Sequence, residues 1–249
     1  MSASFDKGYN ILKEQVDATD AAFFSSCVHC GMCAEACLFY TETGAPERTP
    51  INKTEPLRRV WKQEYTLLGR LGKLFGLGQK VTDEMLEEWE TLVYDSCTLC
   101  GRCSMVCPVG NDIAGMIRKT REGMAAAGHA PPGLIGATRR AVTIGSPMGV
   151  KLPALQAQIS HVEKDTGMTI PVDVEGADYM LLLSSMEIMN FPEFIEAVAK
   201  IFKHASVSWT ISSEAFEATN SGIQIGVSDI AAELVQRIVD AAAKLKVKN

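Results

Sequence analysis

Eight cysteines stand in two groups of four, Cys27, Cys30, Cys33 and Cys37 in "CVHCGMCAEAC" and Cys97, Cys100, Cys103 and Cys107 in "CTLCGRCSMVCP". None stands elsewhere in the 249 residues. Thiols can be disulfide partners, nucleophiles or metal ligands, and spacing separates these uses. Bridges suit small secreted chains, yet "MSASFDKGYNILKEQVD" lacks the basic head and apolar core of a secretory leader. Zinc asks for four ligands at the corners of a tetrahedron, usually two Cys-x-x-Cys knuckles from separate segments. Cys-x-x-Cys-x-x-Cys instead supplies three thiolates from one winding loop, three corners of a cubane, while the next cysteine ligates a second centre. Two 4Fe–4S clusters are therefore expected. One takes Cys27, Cys30, Cys33 and Cys107; the other takes Cys97, Cys100, Cys103 and Cys37. Neither motif closes its own site.

Gly31 and Gly101 follow the second cysteine of each motif, where a missing side chain would let backbone N–H groups approach sulfur. An oxidised cluster on four thiolates carries about −2 charge, so such donors matter once it is buried. Arg102 is a candidate cation beside the thiolates and His29 a candidate tuner of potential, though His29 also fits an outward loop position. Pro108 fixes the turn after the last ligand, and Leu38 holds the matching place in the first motif.

The elements that must position these loops are helical up to about residue 128. Thr54 and Pro56 open a helix with Leu57, Val60, Trp61, Tyr65 and Leu68 on one face, and "GRLGKLFGLG" ends it. That glycine-rich stretch is no nucleotide loop, because no strand precedes it and the order of glycines is wrong. Thr82 caps the next helix, with Asp83 and Glu84 in its first turn and Val81 and Leu86 as a hydrophobic staple. A third helix opens at Asn111, stops at Gly128 and faces Ile113, Met116, Ile117, Thr120 and Met124 inward. Residues 131–175, rich in Pro and Gly, are expected to form a connecting arm around one short helix. From residue 176 the texture is α/β. "YMLLLSS" is a buried strand; Asn190 and Pro192 open a helix with Phe194, Ile195, Val198, Ile201 and Phe202 inward; "SVSWTIS" is a second strand. Ser228 caps a last helix facing Ile230, Leu234, Val235, Ile238 and Val239 inward. The expected class is α+β: a helical two-cluster domain over residues 1–130, the arm over 131–175, and a small incomplete Rossmann-like fragment with a parallel strand pair over 176–249.

Composition narrows the class of function. A net charge of −6 gives no basic field for nucleic acid. No run of apolar residues is long enough for a transmembrane segment, so a cytoplasmic location is expected, peripheral to a membrane at most. Residues 47–80 carry eight Lys/Arg against three Glu, whereas 81–99 carry six acids and no base. Each run suits a solvated helix face, and the basic one also suits docking to an acidic partner.

The paired motifs between helices resemble the α-helical ferredoxin domain of the heterodisulfide reductase C subunit, of the anaerobic glycerol-3-phosphate dehydrogenase iron–sulfur subunit and of the succinate dehydrogenase iron–sulfur protein. The likeness covers about residues 15–150 and is nearest to heterodisulfide reductase C. It implies electron transfer between a flavoprotein A subunit and a catalytic B subunit in a hetero-oligomer. The tail "ADYMLLLSSMEIMN" with "SVSWTISSE" is similar to the opening half of the cysteine-rich CCG module of the B subunit. Ser184-Ser185 and Glu217-Ala218-Thr219-Asn220 stand where that module places cysteines, so its catalytic ligands do not carry over. Such a tail suggests the sulfur-oxidising relatives. With every cysteine committed to a ligand role, and with no nucleophile–base pair or flavin fingerprint, the expected role is electron relay rather than catalysis by this chain alone. The alternatives are the iron–sulfur subunit of another flavin dehydrogenase, or a module that a metal merely staples. Apolar faces left on the tail imply larger partner subunits.

Overall fold

Caps and prolines set where the helices begin. A computed structural model describes residues 3–77 and 80–249. Most of these are helical, with one two-stranded parallel sheet, an α+β architecture. They pack as two units: residues up to 132 with 223–227, and residues 133–222 with 228–249.

The first unit holds all eight cysteines. Helices α1 (Ala3–Gln15) and α2 (Ala18–Ser26) lead into the first cysteine loop. Asp17 and Asp20 close a reciprocal capping box at the start of α2, each carboxylate accepting from the other's backbone N–H. Short helices α3 (Met32–Glu35) and α4 (Leu38–Thr41) carry the chain past Cys33 and Cys37. A 3₁₀ turn over Pro50–Thr54 precedes α5 (Glu55–Tyr65), then α6 (Leu67–Leu74) and α7 (Asp83–Glu90). A π-helical turn, Thr91–Asp95, delivers the second loop; α8 (Arg102–Met105) and α9 (Ile113–Ala127) follow it.

Helix α9 is the spine of this unit. Its Ile113, Met116, Ile117, Thr120 and Met124 are all buried, as the three- and four-residue steps predict. Helix α1 lies so close that two glycines have no room for a side chain. A Cβ on Gly8 would stand 2.5 Å from the Ala127 Cβ, and one on Gly123 2.2 Å from the Leu12 Cγ.

Three expectations in this unit need correction. Thr54 stands at the N-cap position of α5, but its buried hydroxyl donates to the Ile51 carbonyl and caps nothing. Asp112, not Asn111, caps α9, its carboxylate accepting from the Gly115 N–H. The apolar face of α5 ends early. Thr66 breaks out of the helix and caps α6 by accepting from Gly69 N–H, so Leu68 belongs to a new helix and is exposed, and Tyr65 is exposed too. Thr82 caps α7 as expected, over a buried Val81 and Leu86.

In the second unit the stretch expected to be an arm around one short helix forms two regular ones, α10 (Pro132–Ile144) and α11 (Leu152–Thr166). Pro132 and Pro153 lie in their first turns, where proline's missing N–H costs nothing, so these prolines start helices rather than break them. Strand β1 (Tyr179–Leu181) pairs in parallel with β2 (Trp209–Ile211), Tyr179 opposite Trp209. β1 is half-open, with Tyr179 exposed; β2 is wholly buried. Between them run α12 (Ser185–Asn190) and α13 (Pro192–His204). Asn190 thus ends a helix; Phe191 occupies the N-cap of α13. After β2 come α14 (Ser221–Ile225), whose residues 223–225 count with the first unit, and α15 (Ser228–Lys244). Leu155, Ile159, Leu183, Ile188, Ile195, Ile211 and Phe216 form the core. Ile201, Val235 and Val239, expected inward, are exposed because the sheet stops at two strands and leaves those helix faces uncovered.

Candidate metal centre

The two cysteine loops have the same backbone. His29 and Gly31 take positive φ of 52° and 85°; Leu99 and Gly101, at the matching places, take 55° and 78°. Left-handed residues in tight turns are where backbone N–H groups can form anion-binding concavities. Leu99 N–H already points at the Cys97 Sγ, 3.4 Å away. Nothing lies within 4 Å of where a Cβ on Gly31 or Gly101 would stand. Both glycines hold a left-handed φ, the conformation that glycine adopts without strain.

Each loop surrounds a cavity, and each cavity includes one cysteine from the other motif. Cys27, Cys30, Cys33 and Cys107 line a space of about 280 Å³. Cys37, Cys97, Cys100 and Cys103 line another of about 170 Å³. All eight cysteines are free thiols, so the bridged alternative is absent. Among the described residues no three His, Cys, Asp or Glu side chains converge on a point as a single ion would require. The thiols stand around the two spaces.

The donor sets fit the expected clusters. Each cavity offers four thiols and none of the carboxylates that hard cations prefer. Burial pushes the Cys33 thiol above its usual pKa, and burial with the charge of Cys97 pushes Cys103 up to about 11. These thiols ionise readily only beside positive charge, which bound iron supplies.

Between the cavities runs the 3₁₀ turn Pro50–Thr54. With three residues per turn, Pro50 and Lys53 face one side and line the second cavity, while Ile51 and Asn52 line the first. Lys53 is 1% exposed, an unusual state for a lysine. Its ammonium donates to the Ser96 carbonyl, stands 3.9 Å from the Cys37 Sγ and lies 5.4 Å from the centre of the Phe39 ring. Sequence reasoning missed it by counting it into a solvated basic run.

Arg121 was missed too. It is buried on α9, its guanidinium 4.8 Å from the Tyr94 ring centre, and it donates to the carbonyls of Val93 and Cys97 and of Gln224, in the 223–227 segment of the same unit. The signal was present: an arginine inside the apolar stripe of a buried helix. At the end of the π-helical turn Arg121 donates to the Val93 carbonyl and, at 3.5 Å, to the Tyr94 carbonyl, which also accepts from the Cys97 N–H.

Asn111, which does not cap α9, is buried at the first cavity. It donates to the Phe23 carbonyl and accepts from the Ser26 hydroxyl, tying the segment just after Cys107 to the last turn of α2 just before Cys27. Arg102 lies exposed at the rim of the second cavity, and His29 is exposed at the first. Gly110 N–H closes a turn onto the Cys107 carbonyl after Pro108, whereas Cys37 is the N-cap of α4.

The 4Fe-4S dicluster domain matches residues 24–111, the span from the end of α2 to Asn111. The domain binds two 4Fe–4S clusters. Over 178 residues the chain is 25% identical to an Hdr-like menaquinol oxidoreductase iron-sulfur subunit of Archaeoglobus profundus, covering 69% of this chain and 32% of that one. It is 26% identical over 179 residues to the corresponding subunit 2 of Archaeoglobus fulgidus, at 69% and 32% coverage. Over 236 residues it is 26% identical to the D subunit of the dihydromethanophenazine:CoB–CoM heterodisulfide reductase of Methanosarcina barkeri, covering 90% of this chain and 53% of the relative. The chain thus spans 32% to 53% of the length of these curated relatives. No solved structure matches it. Among the described residues no helix is long and apolar enough to cross a membrane.

Proposed function

We propose that this chain is the electron-relay subunit of an oxidoreductase complex of the heterodisulfide reductase type, in which the dicluster domain carries electrons between a flavoprotein subunit and a catalytic subunit. In this reading Cys27, Cys30, Cys33 and Cys107 hold one cluster, and Cys97, Cys100, Cys103 and Cys37 hold the other. The observation that carries it is the exchange of the last cysteine of each motif into the other motif's cavity, which puts four thiols around each space. Bound clusters supply one-electron oxidation and reduction. The chain's own residues hold them, exclude water from their inner faces and set the charge around them. Asn111 and Lys53 fasten the exchanged cysteines, Cys107 and Cys37, beside the opposite loops. Disulfide or sulfur-oxidation chemistry then belongs to the partner.

Two exposed apolar regions support a hetero-oligomer. On α6 and just beyond, Leu67, Leu68, Leu71, Leu74, Phe75 and Leu77 are all exposed near Arg70 and Lys73 in the chain, apolar side chains that a partner subunit would cover. The second unit leaves Ile201, Val235 and Val239 open. That unit we read as a scaffold similar to half of a CCG module. The places after its two strands, Ser185 and Glu217, meet as a buried hydrogen bond of 2.6 Å where the full module would hold cysteines. Location in the cytoplasm belongs to the same reading.

The test is anaerobic purification from cells that also express the neighbouring subunits. About eight irons per chain, a brown colour bleached by dithionite, co-purifying subunits and no turnover by the isolated chain are expected. Colourless zinc protein, or turnover without partners, would contradict the proposal.

A further inference from the structure

The two cavities differ in charge. Around the second stand two buried cations, Lys53 against the Cys37 Sγ and Arg121 against the Cys97 carbonyl. The first is lined by Tyr40, Thr49, Asn52 and Asn111, with exposed His29 its one basic side chain among the described residues. A buried ammonium is stable only where negative charge compensates it. Among the described residues Lys53 pairs with no carboxylate; its partners are a carbonyl, an aromatic face and a thiol. The compensating charge is therefore that of the thiolate-bound centre itself.

We infer that Lys53, reinforced by Arg121, makes the Cys37/Cys97/Cys100/Cys103 cluster the higher-potential member of the pair. Reduction adds one negative charge to a centre that is already anionic. A fixed cation at van der Waals distance from a ligating sulfur stabilises that added charge, and the low-dielectric setting of a 1% exposed side chain leaves the attraction poorly screened. Among the described residues the first cavity has polar groups and the exposed His29 in its lining, and no buried cation. An electron shared by the two centres therefore rests at the second, and the 3₁₀ turn that carries Lys53 on one side and Ile51 and Asn52 on the other is what makes the two environments unequal. Lys53 is in this sense a positioning residue for the electron, and it touches a ligand rather than the reacting atoms.

The inference rests on the exchanged ligation proposed above, so the experiment separates the two. Two double variants, Cys107→Ser with Cys30→Ser and Cys37→Ser with Cys100→Ser, each purified anaerobically in the full chain, are counted for iron and titrated potentiometrically with spectroscopic detection of the reduced cluster. Under exchanged ligation each strikes one cluster twice and keeps about four irons; if each keeps almost none, the ligation is wrong. If each keeps one cluster, the one left in the Cys107→Ser/Cys30→Ser protein is expected to reduce at a higher potential than the one left in the Cys37→Ser/Cys100→Ser protein. Equal or inverted potentials overturn the inference. Lys53→Met, which keeps the aliphatic stem and loses the charge, is expected to lower the higher of the two potentials by at least tenfold in the reduction equilibrium, about 59 mV for one electron. The other potential should move by less than half as much, and Lys53→Arg should restore the first. A Lys53→Met protein with both clusters bound and both potentials unchanged limits Lys53 to fastening Ser96 and refutes the claim. Should Lys53→Met shed its cluster, the two single-cluster proteins still decide the order.

Discussion

In the first cysteine loop φ is 52° at His29 and 85° at Gly31; in the second it is 55° at Leu99 and 78° at Gly101. Behind these matching backbones the supports diverge. The first loop is fastened to its borrowed cysteine by an amide, Asn111, whose partners are a carbonyl and a hydroxyl. The second is fastened by an ammonium and a guanidinium, Lys53 and Arg121, buried without a carboxylate between them among the described residues. Duplicated loops therefore need not give duplicated sites. The two loops share their backbone, whereas the charge of the side chains behind them differs.

Variants of these supports measure that divergence. The largest effect is expected at Arg121. Replacing it by Leu leaves the Val93 and Cys97 carbonyls buried without a donor and should cost about 3 kcal/mol or more, seen as a lowered unfolding midpoint and loss of the second cluster first. Simultaneous loss of both clusters would mean that Arg121 supports the unit as a whole. Asn111→Leu is expected to cost about 1–3 kcal/mol and to release the first cluster first, because the tie between the Cys107 segment and α2 is gone. The glycines should give a smaller and equal effect. Gly31→Ala and Gly101→Ala each force a side chain into a left-handed backbone, at about 1–2 kcal/mol, and unequal losses would break the backbone half of the comparison. The smallest change has the opposite sign. His29→Gly and Leu99→Gly relieve the same strain and should raise the midpoint by under about 1 kcal/mol each, provided the Leu99 N–H keeps its sulfur contact.

Much of this was legible in the residues. The cysteine spacing announces two centres, the buried face of α9 follows from its period, and Thr82 caps where a threonine before two acids should. What was hidden is tertiary. Lys53 looks like any lysine in a basic run, and only the 3₁₀ turn between Pro50 and Thr54 puts it inside a wall. Asn111 stands one residue before a better cap, so local rules name it for a role that Asp112 fills, and its true partners lie 88 and 85 residues away. Pro132 and Pro153 looked like breaks because a proline signals a helix start and a helix stop with the same letter. The exposed face of α6 was likewise invisible, since a period shows which side is apolar but not whether anything covers it.

The exchange of the last cysteine between motifs underlies all of these readings, and iron content in two double variants tests it directly. Cys37→Ser with Cys100→Ser strikes one cluster twice under exchanged ligation and should leave about four irons per chain; Cys37→Ser with Cys30→Ser strikes both clusters and should leave almost none. The reverse, about four irons with Cys30 and almost none with Cys100, would mean that each motif closes its own site.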